Sequence, residues 1–199
     1  MKKYIIKKIE TTPSVEDWAI ADVAQMNVES WEGMKFHFNS FARLLYDDDA
    51  IYVCMESDEM PVVAKLTERN SPVCTESCME FFFCPNIENG KYFNFEFNAL
   101  GTLNLALGAG RTDRIRPTEE LDTFDIKPQL MENGWKISFK IPFDFIKKYV
   151  GMPTTQMRGN FYKCRSDEEK KHSSAWNLIE TPRPDFHQPD YFGYLEFEE

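Results

Sequence analysis

Apolar and polar positions alternate along most of this chain with a period of two, the signature of half-buried strands. In Tyr92–Asn98, Phe93, Phe95 and Phe97 take one face, while Tyr92, Asn94, Glu96 and Asn98 take the other. Gly134–Ile141 alternates as cleanly, with Trp135, Ile137, Phe139 and Ile141 inward and Lys136 and Lys140 outward. Ile51, Val53 and Met55 alternate with Tyr52, Cys54 and Glu56, and the preceding Asp47-Asp48-Asp49 predicts a hairpin turn. Glu80–Cys84 predicts an aromatic strand closed by Cys84-Pro85-Asn86, and Tyr191–Phe197 a terminal strand. Helix is scarce. Val15–Val23 predicts a short helix capped by Ser14, and Pro142–Tyr149 a second, with Pro in its first turn and Gly151 past its end. Thr181–Pro189, with Pro182, Pro184 and Pro189, predicts an extended loop crossing the surface. No repeat or linker divides residues 1–199. The pattern predicts one all-β domain, an antiparallel β-sandwich of immunoglobulin-like or jelly-roll type with one or two short helices.

Composition narrows the partners. The chain has 199 residues, 33 acidic against 23 basic, and a formal net charge of −10. No basic stripe exists to neutralise phosphates, so nucleic acid is set aside. No run approaches the roughly 18–20 apolar residues that span a bilayer, and no membrane partner is expected. The N-terminal MKKYIIKKIE has a signal peptide's lysines but only Tyr4-Ile5-Ile6 where an apolar stretch should follow. The expected location is the cytoplasm, or the periplasm or exterior if a signal has been removed. Five cysteines cannot all pair within one chain, which fits reduced thiols. The sequence carries no signal of oligomeric state.

Four segments carry a family likeness: Tyr46-Asp47-Asp48-Asp49 with Ile51-Tyr52-Val53; Glu76–Phe82 running into Pro85; Tyr92–Gly101, read as YFNFEFNALG; and Gly159–Cys164 continuing through Trp176-Asn177 to Pro184–Pro189 and Phe192-Gly193. In this order, over nearly the whole chain, they make it resemble the carbohydrate-binding module family 9-like proteins, a β-sandwich group related to DOMON-like domains. The resemblance implies sugar binding without cleavage, in which two aromatic side chains sandwich a terminal sugar and polar groups of the sheet read its hydroxyls. By position it places the second aromatic at Phe186. The first falls near Cys74, which has no stacking face, and Trp176 is the nearest replacement. Some members hold structural calcium, but no ligand loop for it is evident here, and no other cofactor is expected.

A sugar needs polar groups for its hydroxyls and a flat ring for its C–H faces. Asn94, Glu96 and Asn98 offer two amides and a carboxylate about 6.6–7 Å apart along one strand. They form either the solvated side of a sheet or, lacking Lys and Thr, a ligand-facing surface. Glu80 stands among apolar neighbours and pairs with a cation or accepts sugar hydroxyls. Arg111, after Gly108-Ala109-Gly110, is either that cation or a ligand contact itself. Asn160, Tyr162 and Cys164 share one strand face, with Phe161 and Lys163 opposite, so Lys163 ends at a sheet edge or pairs with an acid. Trp176 is a core plug or a platform, with Asn177 beside it. His187 caps a hydroxyl or fixes its loop.

Cys74-x3-Cys78-x5-Cys84 lacks the tight pairs of a zinc site, and His37, His172 and His187 are scattered, so buried free thiols and no metal are expected. The Asp47–Asp49 triplet lacks the spacing of a calcium loop and reads as a solvated turn. Three functions follow: a noncatalytic carbohydrate-binding domain; a glycoside hydrolase using Glu80 and Glu96, which would need carboxyls roughly 5–5.5 or 6.5–9.5 Å apart; or an interaction sandwich that has lost its sugar site.

Overall fold

The alternating segments fold as strands that close on a shared Phe-rich interior. The computed structural model describes residues 1–31, 38–166 and 171–198; His37 lies outside them. Along the chain run β1 (Lys3–Lys8), β2 (Ala24–Gln25), β3 (Ser40–Tyr46), β4 (Ala50–Ser57), β5 (Cys78–Cys84), β6 (Tyr92–Asn98), β7 (Leu103–Gly108), β8 (Lys127–Met131), β9 (Gly134–Pro142), α1 (Phe143–Val150), β10 (Gln156–Arg165), β11 (His172–Ala175) and β12 (Gly193–Phe197). The pairing order is β7-β6-β5-β10-β12-β1-β3-β4-β9-β8, with β11 beside β10 and β2 beside β3.

The ladders are antiparallel except at β1, which makes the whole a curled, mixed sheet. Lys3–Ile6 of β1 pair parallel with β12, and Lys7 and Lys8 pair parallel with β3. One strand thus passes the chain from a first layer, β7-β6-β5-β10-β12, to a second, β3-β4-β9-β8. The layers meet through Phe81, Phe83, Phe93, Phe95 and Phe97 on one side and Ile51, Val53, Ile137 and Phe139 on the other, all buried. Phe97 and Phe139 approach to 4.6 Å between ring centroids. Each such ring contributes roughly 1.5–3 kcal/mol on burial.

Local signals explain the hairpins and helices. Asp47 Oδ1 accepts the backbone N–H of Asp49 at 2.8 Å and of Ala50 at 2.9 Å, while Tyr52 donates to Oδ2 at 2.7 Å. The first residue of the acidic triplet therefore fixes a turn. Helix α1 follows Pro142 and ends at Gly151, as its sequence predicts. The helix expected over Val15–Val23 is only a 3₁₀ turn at Asp17–Ala19. Ser14 and Asp17 do exchange hydrogen bonds, but only Trp18 and Ala21 pack against the body while Val15, Ile20 and Val23 stay exposed, too narrow an apolar face to hold further turns. Lys163 pairs with Glu59 at 2.8 Å, both fully buried, and Glu59 also accepts from the Trp135 indole at 3.3 Å. It is not at a sheet edge: at this position β10 is flanked by β5, through Met79, and by β11, through Ser174. Gly193 must be glycine, because a Cβ there would lie 2.4 Å from the Trp176 ring.

Candidate functional site

The site is built on the outer face of the first layer. Residues of even number on β5 and β6 face away from the Phe core, placing Glu80 opposite Glu96 and Cys78 opposite Asn98 across the ladder. On the other side of β5, Tyr162 lies opposite Glu80 and Cys164 opposite Cys78. This face is not solvated, although polar alternation allowed it to be: every residue of β5 and β6 is buried. Three segments cover it. Residues 108–117 bring arginines over β6, residues 64–77 wrap the far end, and residues 184–188 lie across β5 and β10.

Beneath that cover is a cavity of about 200 Å³ lined by Glu80, Glu96, Arg111, Phe186 and His187, all singled out by sequence. Trp31, Phe82, Cys74, Cys164, Arg165, His172 and Asp185 complete much of its wall. Arg111 does not neutralise Glu80. It donates from Nη2 to Asp185 at 2.7 Å and from Nε to the same oxygen at 3.2 Å. The neighbours of Glu80 are thiols, with Cys164 donating at 3.1 Å and Cys78 at 3.8 Å. Glu96 accepts from Asn94 and Asn104, each at 2.6 Å. Asn94 in turn accepts from Arg114, whose guanidinium lies over the Tyr92 ring.

The aromatic wall is similarly braced. Phe186 stacks on Tyr162 with centroids 4.0 Å apart and planes 5° from parallel, and Trp31 meets Phe186 at 5.8 Å. Tyr162 also donates to the Phe186 carbonyl at 3.2 Å. The Trp31 indole N–H donates to the Thr181 carbonyl at 3.0 Å, which fixes the ring. His187 Nδ1 shares a 2.8 Å hydrogen bond with the Tyr92 hydroxyl. The proline-bearing segment therefore packs its side chains onto the sheet as well as crossing the surface.

Burial sets the protonation of the site. It pushes Glu80 well above the usual carboxylate range, helped by Cys164 and by the facing Glu96. Burial also raises Glu96, against the pull of Asn104, Asn94 and the two arginines beyond them. His187 is lowered to about 4 by burial, then by Arg114 and Arg111, and is a neutral ring at pH 7. Burial acts to raise Asp185, but Arg111, Gln188 and the His187 backbone hold it below its ordinary value. The result is a pair of buried carboxyl groups, both raised above the usual carboxylate range, beside one charge-paired arginine and a ring-lined wall.

The remaining sequence candidates lie elsewhere. Asn94 and Tyr162 sit directly behind the cavity, holding Glu96 and Phe186. Asn98 organises the β6–β7 turn: it accepts from the backbone of Leu100 and Thr102 and donates to Leu66 and Glu76. Asn160 exchanges hydrogen bonds with the Asn177 backbone, and the Asn177 side chain joins Lys2 to Tyr191. Trp176 faces the interior, packing on Phe161 at 5.7 Å and Tyr4 at 6.4 Å, so it is a core plug. Sequence reasoning passed over Trp31, a single aromatic between Ser30 and Glu32, and Asp185, whose adjacency to Phe186 was the available signal.

A family model described as carbohydrate-binding family 9 matches residues 10–197. A solved structure of a candidate carbohydrate-binding protein from Bacteroides uniformis ATCC 8492 is similar over 99% of both chains, with 29% identity and a TM-score of 0.83. Two structures of a family 9 carbohydrate-binding module from Caldicellulosiruptor kristjanssonii share the fold at 15% identity. The one in complex with cellotriose has a TM-score of 0.67 over 99% of this chain and 94% of that one. The one in complex with glucose has 0.68 over 99% and 96%. No curated protein sequence matches the chain.

Proposed function

The chain belongs to carbohydrate-binding family 9, and from that premise we propose that the covered cavity on its first layer is where this noncatalytic binding domain holds a sugar. The observation that carries the assignment is the opposed pair Glu80 and Glu96 under a wall of Trp31 and Phe186. The carboxyl pair meets hydroxyls, the rings meet a C–H face, and Arg111 with Asp185 forms a polar rim. His187, neutral and tied to Tyr92, offers its other ring nitrogen to a hydroxyl. Asn94 and Tyr162 act as positioning residues. The Caldicellulosiruptor structures hold glucose and cellotriose, so glucose and short β-glucans head the ligands to try. Residues 1–199 act as one binding unit in this reading.

Glu80 and Glu96 are hydroxyl partners here, not a hydrolytic pair. Burial raises both carboxyls in the same direction, whereas a hydrolytic pair divides its two carboxyls into unlike roles, one acid and one base or nucleophile. Calorimetric titration against mono- and oligosaccharides tests the proposal. Affinity in the micromolar to millimolar range, about −8 to −4 kcal/mol, is expected, without release of reducing ends. Phe186→Ala should weaken binding about tenfold or more, near 1.4 kcal/mol. A folded wild type that gives no heat with any sugar, or Phe186→Ala binding unchanged, would sink the assignment.

A further inference from the structure

Beneath the cavity, β5 and β10 bring together two thiols and a carboxyl that lie far apart in sequence. The Sγ atoms of Cys78 and Cys164 and a carboxylate oxygen of Glu80 all lie within 4.8 Å of one another, and all three residues are buried. Ladder geometry fixes this triangle: Cys78 and Cys164 face each other across strands, and Glu80 is two residues along the same face of β5. A tetrahedral centre with metal–sulfur bonds of about 2.3 Å and metal–oxygen bonds of about 2.1 Å sets those ligands about 3.6 Å apart. The Glu80 oxygen lies 3.1 Å from one sulfur and 3.8 Å from the other, on either side of that distance. Thiols are weak donors for a buried carboxyl, so the group has little reason to sit here as a mere filler.

We infer that Cys78, Glu80 and Cys164 form a three-residue site for a thiophilic divalent cation of the zinc type, with its fourth position toward the cavity. Glu80 and Cys164 both line that cavity, and this is what gives the fourth position access to water or a small ligand. Two thiolates and a carboxylate would leave one negative charge uncompensated by a divalent ion; the cations of the same cavity wall, Arg111 and Arg165, are already bridged to Asp185 and Glu59. A softer donor set than oxygen alone selects zinc over calcium or magnesium. The site goes beyond sugar binding and shares only Glu80 with the sugar contacts.

The test is cobalt(II) titration of the full chain, stripped of metal and kept reduced with a phosphine, followed by displacement with zinc(II). One equivalent should give a thiolate-to-cobalt charge-transfer band and the visible bands of tetrahedral cobalt. Cys78→Ser and Cys164→Ser should each weaken uptake about a hundredfold or more, beyond what loss of a supporting group does. Cys54→Ser, outside the cluster, should leave it unchanged. A folded wild type with no thiolate band, or a band undiminished in both cluster variants, overturns the inference. If those variants do not fold, alkylation of the wild type in mild denaturant decides. Zinc should protect Cys78 and Cys164 but not Cys54, and equal labelling with and without zinc overturns the site. Sugar titration of the metal-free protein reads the other proposal separately, so each can fail alone.

Discussion

Strands β6 and β9 carry the same alternation, yet their polar faces have opposite fates. On β9, Lys136, Ser138 and Lys140 remain half-exposed, whereas on β6 Asn94, Glu96 and Asn98 are buried to within 6% of their surface. The difference is residue type. A lysine can keep its ammonium in water while its stem covers the sheet. An amide or a short carboxyl cannot, and once covered it must find partners inside the protein. On β6 it finds them: Asn98 has both amide hydrogens donated and its oxygen accepting twice. Alternation thus locates a face, and the chemistry of its polar residues tells whether that face is covered.

The largest expected effect breaks the comparison directly. Asn98→Ala should cost about 3 kcal/mol in urea unfolding, because the backbone N–H groups of Leu100 and Thr102 and the buried Glu76 carboxylate lose their Asn98 partner. Ser138→Ala on the open face should stay within about 0.5 kcal/mol. Similar losses at both positions would mean that burial of β6 carries no energetic weight.

Next is pH. His187 keeps its proton less readily in the folded chain, about 4 against 6.5. Its contribution is therefore complete above about 6.5 and lost as pH falls toward 4, by about 2 kcal/mol after allowance for partial exposure. Glu80 and Glu96 act in the opposite sense. Their folded values are raised above 4.5, so their contribution is complete below that pH and lost as pH rises through the folded values. Denaturant midpoints measured from pH 4 to 8 should show the acid-side loss diminished in His187→Gln. The alkaline-side loss should diminish in Glu80→Gln, and Ser138→Ala should change neither. A Glu80→Gln profile identical to wild type would show that this carboxyl is not held in the way described.

The smallest effect sharpens the contrast in function. Glu96→Gln keeps shape but makes an amide of the carboxyl, and sugar affinity should fall about tenfold, near 1.4 kcal/mol. Glu56→Gln on β4, facing out from the second layer, should leave it unchanged. Calorimetry with the best ligand of the panel measures both.

The two faces also show what sequence could carry. Strands β4, β5, β6, β9, β10 and β12, the Asp47 hairpin and helix α1 were legible because each rests on local rules of period, turn or cap, whereas β1, β3, β7 and β8 were not read as strands. Glu80, Glu96, Arg111 and His187 were legible as candidates from their chemistry in their setting, and Phe186 only through the family resemblance. What stayed hidden depends on long-range pairing. Cys164 meets Cys78 only because β10 lies beside β5, eighty-odd residues away. Trp31 meets Phe186 only because a distant loop folds over the sheet. Trp176 could not be assigned to core or surface until Gly193 was seen to leave room for its ring.

Strand β1 has a consequence for how the molecule is made. Its first four residues pair with β12, near the end of the chain, and its next two with β3. During synthesis the second layer can assemble around β3, β4 and β9 while the partner of Lys3–Ile6 is still unmade. Until β12 emerges, that length of β1 is an unpaired edge and a template for the wrong strand. Within that length only Lys3 carries charge, the remainder being Tyr4, Ile5 and Ile6, so the edge is lightly guarded. The same strand that unites the layers therefore makes completion of the fold wait for β12. Refolding of the full chain should accordingly be slow for its size, as for other topologies that join distant segments.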